Sequence, residues 1–226
     1  MKIKHIFFDL DHTLWDFETN SVATFSKIFK DNKLEVNVEK FITYYKIINL
    51  RYWKLYRNEK MTREALRYGR LKDTFDFLKY NVSDKTIDLL ADEYLNVLPT
   101  FNTLFEGTHE LLTYLKAKYQ LHIITNGFSE VQNDKLKNAG IEKYFDKIIT
   151  SENTGVKKPN PKIFQYAIDI SRANVKESIM IGDNWEADIM GAKNYGMKVI
   201  FCNFENQIVD ESIPSVKELL DIKKYL

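Results

Sequence analysis

Residues 7 to 17 read FFDLDHTLWDF. A short apolar run, Ile6-Phe7-Phe8, ends in two carboxylates one residue apart, Asp9 and Asp11. If the run is a strand and its geometry persists, residues i and i+2 project to one side. Two like charges about 4 Å apart then repel by several kcal/mol at an effective dielectric near 20. More acids belong with them: Asp183 follows the run Ser178-Ile179-Met180-Ile181-Gly182, and Asp188 stands five residues further on. Such a cluster needs a cation. Oxygen ligands without histidine or cysteine suit a hard ion, Mg²⁺ first, which takes few carboxylates and keeps positions for water and a phosphate oxygen. That points to phosphoryl chemistry. One carboxylate can attack phosphorus and form an aspartyl-phosphate. A second carboxyl can give a proton to the leaving oxygen and later take one from water. A hydroxyl, backbone N–H groups and a lysine can hold the equatorial oxygens. Thr125-Asn126-Gly127, after Leu121-His122-Ile123-Ile124, and Gly155-Val156-Lys157-Lys158-Pro159 supply those types.

The elements that must position these residues follow from glycine, proline and apolar spacing. Between Trp15 and Leu98 there is no proline and one glycine, Gly69. In that region Val22, Phe25 and Phe29 keep helical spacing, as do Phe41, Tyr44, Tyr45, Ile48 and Tyr52, then Leu71, Phe75 and Leu78, then Ile87, Leu90, Ala91, Tyr94 and Leu98. The pattern predicts about four amphipathic helices. From Pro99 onward strands alternate with helices. Strands are expected at 121–124, 147–149, 178–181 and 198–201, and helices at 108–118, from Asn160-Pro161 to Ser171, and over 185–195 up to Gly196. Ser129 with Gln132, and Ser215 with Glu218, read as capping boxes that start two more helices. Alternation of this kind implies βαβ units and a mainly parallel sheet. The first strand, 3–8, belongs to that sheet, so the helical block is an insertion after it. In an open α/β sheet, ligands bind beyond the carboxyl ends of the strands; the polar strand ends should converge on one site.

The whole chain sets bounds. Its 226 residues suit one core with a sizeable insertion. Net charge is +1, which argues against a nucleic-acid partner. The single cysteine, Cys202, excludes an internal disulfide framework and a cysteine-based zinc site, and reads as a buried apolar residue. No stretch approaches the roughly 20 apolar residues of a membrane span. The first residues hold too short an apolar run for a secretory leader. A cytoplasmic protein, acting as monomer or homodimer without membrane contact, is the expectation.

The residues resemble a known family. Asp9-x-Asp11-x-Thr13, Thr125 after an apolar strand, Lys158-Pro159, and Gly182-Asp183 with Asp188 look like the four motifs of the haloacid-dehalogenase-like hydrolases, in order. The resemblance implies an α/β fold: a Rossmann-like, mainly parallel core formed by 1–14 and 104–226, with a helical cap of the first class at 15–103. It also implies Mg²⁺ dependence and an aspartyl-phosphate intermediate. Carried over, Asp9 is nucleophile and metal ligand. Asp11 is the acid/base, with its backbone carbonyl on the metal. Thr125, Asn126 and Lys158 bind the phosphoryl group. Asp183 ligates Mg²⁺ and Asp188 orients its ligands. The runs IFFDLDHTLWDF, HIITNGFSEVQ, GVKKPNPKIF and IGDNWEADIMGA are similar to the pyrimidine 5′-nucleotidase branch, which implies a small phosphate ester as partner, a nucleoside monophosphate.

Each residue also has a plainer reading. Asp9 and Asp11 could form a solvated acidic turn, Lys158 could be a surface lysine beside Lys157, Asp183 could cap a helix, and Thr125 could bond locally. Tyr44, Tyr45, Tyr52, Trp53, Tyr56 and Tyr68 could stack a base, but their helical spacing favours packing. Phe17 and Phe128 stand near the expected crevice. His12 should point away from the acids if the strand continues; His5, His109 and His122 read as structural. A sugar-phosphate or phosphoglycolate phosphatase or mutase would use the same core. A phosphorylatable receiver-type module shares the aspartates, Mg²⁺ and lysine, but is near half this length and has no helical insertion. A non-catalytic binding protein on the same scaffold is the remaining alternative.

Overall fold

The computed structural model describes residues 2–226. The chain divides into two compact units, one of Met1–Phe17 with Asn102–Leu226 and one of Glu18–Phe101.

The first unit is built on β1 (His5–Phe8); the second holds α1 (Phe17–Asp31), α2 (Val38–Arg57), α3 (Arg63–Phe77) and α4 (Asp84–Val97). The chain then returns through α5 (Thr108–Lys116), β2 (Gln120–Thr125), α6 (Ser129–Asn138), β3 (Lys147–Thr150), the single turn α7 (Ser151–Thr154), α8 (Pro161–Ile170) and β4 (Ser178–Gly182). A π-helical turn (Trp185–Met190) runs into α9 (Gly191–Tyr195), followed by β5 (Lys198–Cys202) and the short β6 (Ser215–Val216). The six strands form one parallel sheet in the order β3-β2-β1-β4-β5-β6. β1 is flanked by β2 and β4, so the strand order reverses at β1, where an open α/β sheet leaves a crevice. Its residues Ile6, Phe7 and Phe8 are fully buried, as a strand covered on both faces requires. On one face Phe7, Ile124, Ile149 and Met180 pack with Ile163, Phe164, Ile189 and Ala192 from the following helices.

The helical unit carries four helices, each with a local reason to start. Asn37, Thr62 and Ser83 accept hydrogen bonds from the backbone N–H groups of Lys40, Ala65 and Thr86 and so cap α2, α3 and α4. The unit's core is aromatic. Phe25 lies 4.7 Å from Tyr45 and from Tyr94, and Phe41 lies 4.9 Å from Phe25, Phe29 and Phe75, ring centre to ring centre. Offset and edge contacts of this kind add to the burial term. Tyr45 and Tyr56 are buried, Tyr44 packs on Phe77, and the hydroxyls of Tyr52 and Tyr68 donate to Asp73 and Asp84. Val22, expected on the apolar face of α1, is exposed. Among the described residues no helix is long and apolar enough to cross a membrane.

Two expected caps are absent. Phe128, not Ser129, precedes α6, and no side chain caps that helix. Ser129 instead shares a hydrogen bond with Thr150, and Gln132 is spent elsewhere. At the C-terminal end Ser215 begins β6, and Leu219–Lys224 form a 3₁₀ helix without a side-chain cap. Pairing with β5 takes Ser215 out of reach of a capping role.

Candidate active site

The first aspartate is fixed by the sheet. β1 and β4 pair in register Phe8↔Ile181, and the Asp9 N–H donates to the Ile181 carbonyl at 2.9 Å. Asp9 therefore stands beside Gly182-Asp183 at the switch point. Asp9, Asp183 and Asp188 each offer a carboxylate oxygen, and the three oxygens lie within 4.8 Å of one another. The π-helical turn aims Asp188 back at the strand end. Asn184 accepts from the Ala187 N–H, and its own N–H donates to Asp188 Oδ2, both at 2.9 Å. Gly182 leaves room for this approach: a Cβ there would lie 2.3 Å from Asp188 Oδ2. The Thr13 hydroxyl donates to Asp183 Oδ1 at 3.0 Å.

Lys158 enters this acidic group from the loop before α8. Its ammonium donates to Asp9 Oδ1 and to the Ile124 carbonyl, each at 2.6 Å, and pairs with Asp188 Oδ1 at 2.7 Å. The loop is clamped by Asn126, whose amide donates to the Lys158 carbonyl at 3.0 Å and accepts from the Lys158 N–H at 2.7 Å. Asn126 thus spends both ends of its side chain on the backbone of the lysine. The Thr125 hydroxyl accepts from the Gly127 N–H at 3.1 Å, which leaves its own proton to donate.

The charges do not balance. Burial raises the Asp9 carboxyl to about 7; Lys158 pulls it down, while Asp188 and Asp11 push it up. Burial, then Asp9 and Asp188, hold Asp183 well above the usual carboxylate range. Burial works against the Lys158 ammonium, but Asp188 and Asp9 outweigh it and raise it. Three clustered carboxylates face one ammonium, too little positive charge for all three to ionise together; their oxygens, two of the three residues buried, fit a hard divalent cation that would supply the rest.

Asp11 departs from the expected geometry. β1 ends at Phe8, His12 has a φ of 62°, and its N–H donates to the Trp15 carbonyl. The strand does not continue, so neither the same-face pairing of Asp9 with Asp11 nor the outward direction of His12 follows from strand periodicity. The Asp11 carboxylate is turned to α6 instead. Lys135 Nζ reaches Oδ1 at 2.5 Å, and Gln132 Nε2 donates to Oδ2 at 2.9 Å. Lys135 is 1 % exposed, and its ammonium lies 4.0 Å from the centre of the Trp15 ring and 5.2 Å from that of Phe17. Sequence reasoning missed Lys135, Gln132 and the Thr13–Asp183 contact. A signal existed for the first: on a helix over 129–138, Lys135 shares the apolar face with Val131 and Leu136. Cys202 is buried, and burial pushes its thiol well above the ordinary value, as an apolar residue requires.

A family model described as haloacid dehalogenase-like hydrolase matches residues 3–196. The chain belongs to the haloacid dehalogenase-like hydrolases. It is 32% identical over 230 residues to the pyrimidine 5′-nucleotidase YjjG of Escherichia coli (strain K12), covering 100% of this chain and 99% of that one. It is also 32% identical over 208 residues to the glyceraldehyde 3-phosphate phosphatase of Methanothermobacter thermautotrophicus, covering 90% and 87%. A magnesium-bound crystal structure of YfnB from Bacillus subtilis shares the fold with a TM-score of 0.91 at 26% identity, over 100% of this chain and 99% of that one.

Proposed function

We propose that this haloacid dehalogenase-like hydrolase is a Mg²⁺-dependent 5′-nucleotidase, acting on pyrimidine nucleoside monophosphates through an aspartyl-phosphate on Asp9. The observation that carries the chemistry is the cluster of Asp9, Asp183 and Asp188 around Lys158 at the switch point of the sheet. The full-length likeness to YjjG supports the substrate class.

The Asp9 carboxylate attacks phosphorus as the bond to the ester oxygen breaks. Asp11 gives that oxygen a proton, and the nucleoside leaves as an alcohol. Water then attacks the phosphorus of the aspartyl-phosphate and passes a proton to Asp11. Inorganic phosphate departs and Asp9 is free again. Lys158 and the Thr125 hydroxyl hold the phosphoryl oxygens, and Asn126 keeps the Lys158 backbone in place. Asp9, Asp183 and the Asp11 backbone carbonyl would hold Mg²⁺, with Asp188 fixing their arrangement. When bound, Mg²⁺ offsets the clustered charge and offers a position to a phosphate oxygen.

The likeness to a glyceraldehyde 3-phosphate phosphatase supports a second reading, a small sugar phosphate as substrate. One screen separates the two. Phosphate release is measured across pyrimidine and purine nucleoside monophosphates and glyceraldehyde 3-phosphate, with and without Mg²⁺. Uridine 5′-monophosphate is expected to lead, with release lost on chelation. A lead for glyceraldehyde 3-phosphate overturns the nucleotidase reading, and release indifferent to chelation overturns the metal. Asp9→Asn is expected to lower turnover by about 10³-fold or more with the fold retained, because no amide can replace the attacking carboxylate.

A further inference from the structure

The most unusual side chain outside the aspartate–lysine cluster is Lys135. A lysine that is 1 % exposed on a helix face shared with Val131 and Leu136 needs a strong reason to be there. Its ammonium pairs with the Asp11 carboxylate at 2.5 Å. Gln132, one helical turn earlier on the same face, takes the other Asp11 oxygen. The two donors fix both ends of one carboxyl group, and Gln132 is itself buried. The ammonium is held in turn by the Trp15 ring, four residues after Asp11, with Phe17 beside it. Trp15 is tied to the Asp11 segment by its backbone, for it accepts from the His12 N–H at 3.0 Å and donates to the Leu10 carbonyl at 3.0 Å. Loop, ring, ammonium and carboxylate thus form one closed circuit around the side chain of Asp11, which is itself 21 % exposed.

We propose that Lys135, assisted by Gln132, is a positioning residue that fixes the direction of the Asp11 carboxyl for proton transfer to the leaving oxygen. Asp11 sits on a loop past the end of β1, so the sheet does not orient its side chain. Without the two donors its χ angles are free to sample other staggered wells. A catalytic group misplaced by about 1 Å can lose on the order of 10²-fold in rate. The role of Lys135 rests on Asp11 being the group that moves the proton.

The test uses the leaving group. The quantity kcat/KM reports only steps up to the departure of the ester oxygen. A p-nitrophenolate leaves without a proton, whereas the 5′-oxygen of a nucleoside does not. Lys135→Met is compared with wild type on p-nitrophenyl phosphate and on uridine 5′-monophosphate, at saturating Mg²⁺. Loss of kcat/KM on the nucleotide by about 10- to 100-fold, with a change below about threefold on the aryl ester, supports the role. Equal losses on both esters, or no loss on the nucleotide, overturn it. Gln132→Leu keeps the ammonium and is expected to show the same split at several-fold; it decides the matter if Lys135→Met does not fold. Asp11→Asn separates the two ways of failing. If Asp11→Asn shows no split, the reading of Asp11 is wrong; if it shows the split and both other variants do not, only the role of Lys135 and Gln132 is wrong. Should wild type ignore the nucleotide, glyceraldehyde 3-phosphate serves as the alkyl ester, and the same outcomes apply.

Discussion

Lys158 holds an ammonium, 2 % exposed, between two carboxylates and the carbonyl of Ile124, the last residue but one of β2. Replacing it with methionine keeps most of the volume and removes the charge. Asp9 and Asp188 are then left buried without their cation, a kind of change that costs about 3–5 kcal/mol. A phosphoryl donor is lost as well. Lys158→Met is therefore expected to unfold at a markedly lower temperature and to release phosphate about 10²- to 10³-fold more slowly. Thermal unfolding and initial rates check the two halves; a stable variant with near-normal rates would mean that Lys158 is a spectator. This residue was legible in the sequence through its place between Gly155 and a capped helix. Lys135 was not, because a lysine among polar neighbours in SEVQNDKLKN looks like solvated surface until the helix phase is set. Asn126 was legible as a polar strand end, but not as the clamp on the Lys158 backbone, since that contact spans 32 residues.

At the scale of elements, β4 and the π-helical turn behave as one device. The strand delivers Gly182-Asp183 beside Asp9, and the turn brings Asp188 back over the glycine. Gly182→Ala puts a methyl group 2.3 Å from Asp188 Oδ2, against a side chain that is itself buried and bonded at both oxygens. The expected result is a loss of about 1–3 kcal/mol in urea unfolding, with at least a tenfold fall in phosphate release as Asp188 moves off Lys158. Loss of neither stability nor rate would show that the turn can slide. The strands themselves were readable from short apolar runs, and β1 to β5 stand where those runs are. β6 was not readable, because two residues carry no period. Both capping boxes failed for one reason: Ser129 and Ser215 lie where tertiary pairing, with Thr150 and with β5, outcompetes a local cap. The π-helical turn has no composition signal of its own; what it does, placing Asp188 against Lys158, is visible only in the fold.

At the scale of the whole molecule, the sheet also carries a pair of buried histidines. His5 on β1 and His122 on β2 stack with ring centres 5.5 Å apart, His5 Nδ1 lies 3.2 Å from His122 Nε2, and Phe7 stacks on His122. Burial, then the charge on His5, holds His122 down at about 4, with Asp146 opposing and Lys116 and Lys147 assisting; burial also lowers His5. The unfolded chain binds a proton at His122 near pH 6.5, and the folded chain does not until about pH 4. The stabilisation is thus present above the unfolded value and lost as pH falls from 6.5 towards 4. His122→Gln is expected to lose less stability than wild type between pH 7 and pH 5, the difference being at most ~2 kcal/mol. Urea unfolding at both pH values measures it, and parallel pH dependence would show that the pair titrates freely in the fold. At this scale the sequence showed two kinds of region, proline-free helices and a strand-rich remainder, with passages expected at 14/15 and 103/104; the compact units divide a few residues away, at 17/18 and 101/102. The chain leaves the sheet-bearing unit after Phe17 and re-enters it at Asn102, and next to these points the two segments are bound to each other. The Asp16 N–H donates to the Thr103 carbonyl, the Phe105 N–H to the Leu14 carbonyl, and Trp15 bridges Leu104 in antiparallel fashion. Outgoing and incoming chain form a narrow stem, closed by the sheet-bearing unit's own residues. Whatever is spliced between the two ends of that stem, a longer bundle, a shorter loop or a foreign domain, need not alter strand order or the aspartates, so the insertion can be exchanged without rebuilding the sheet.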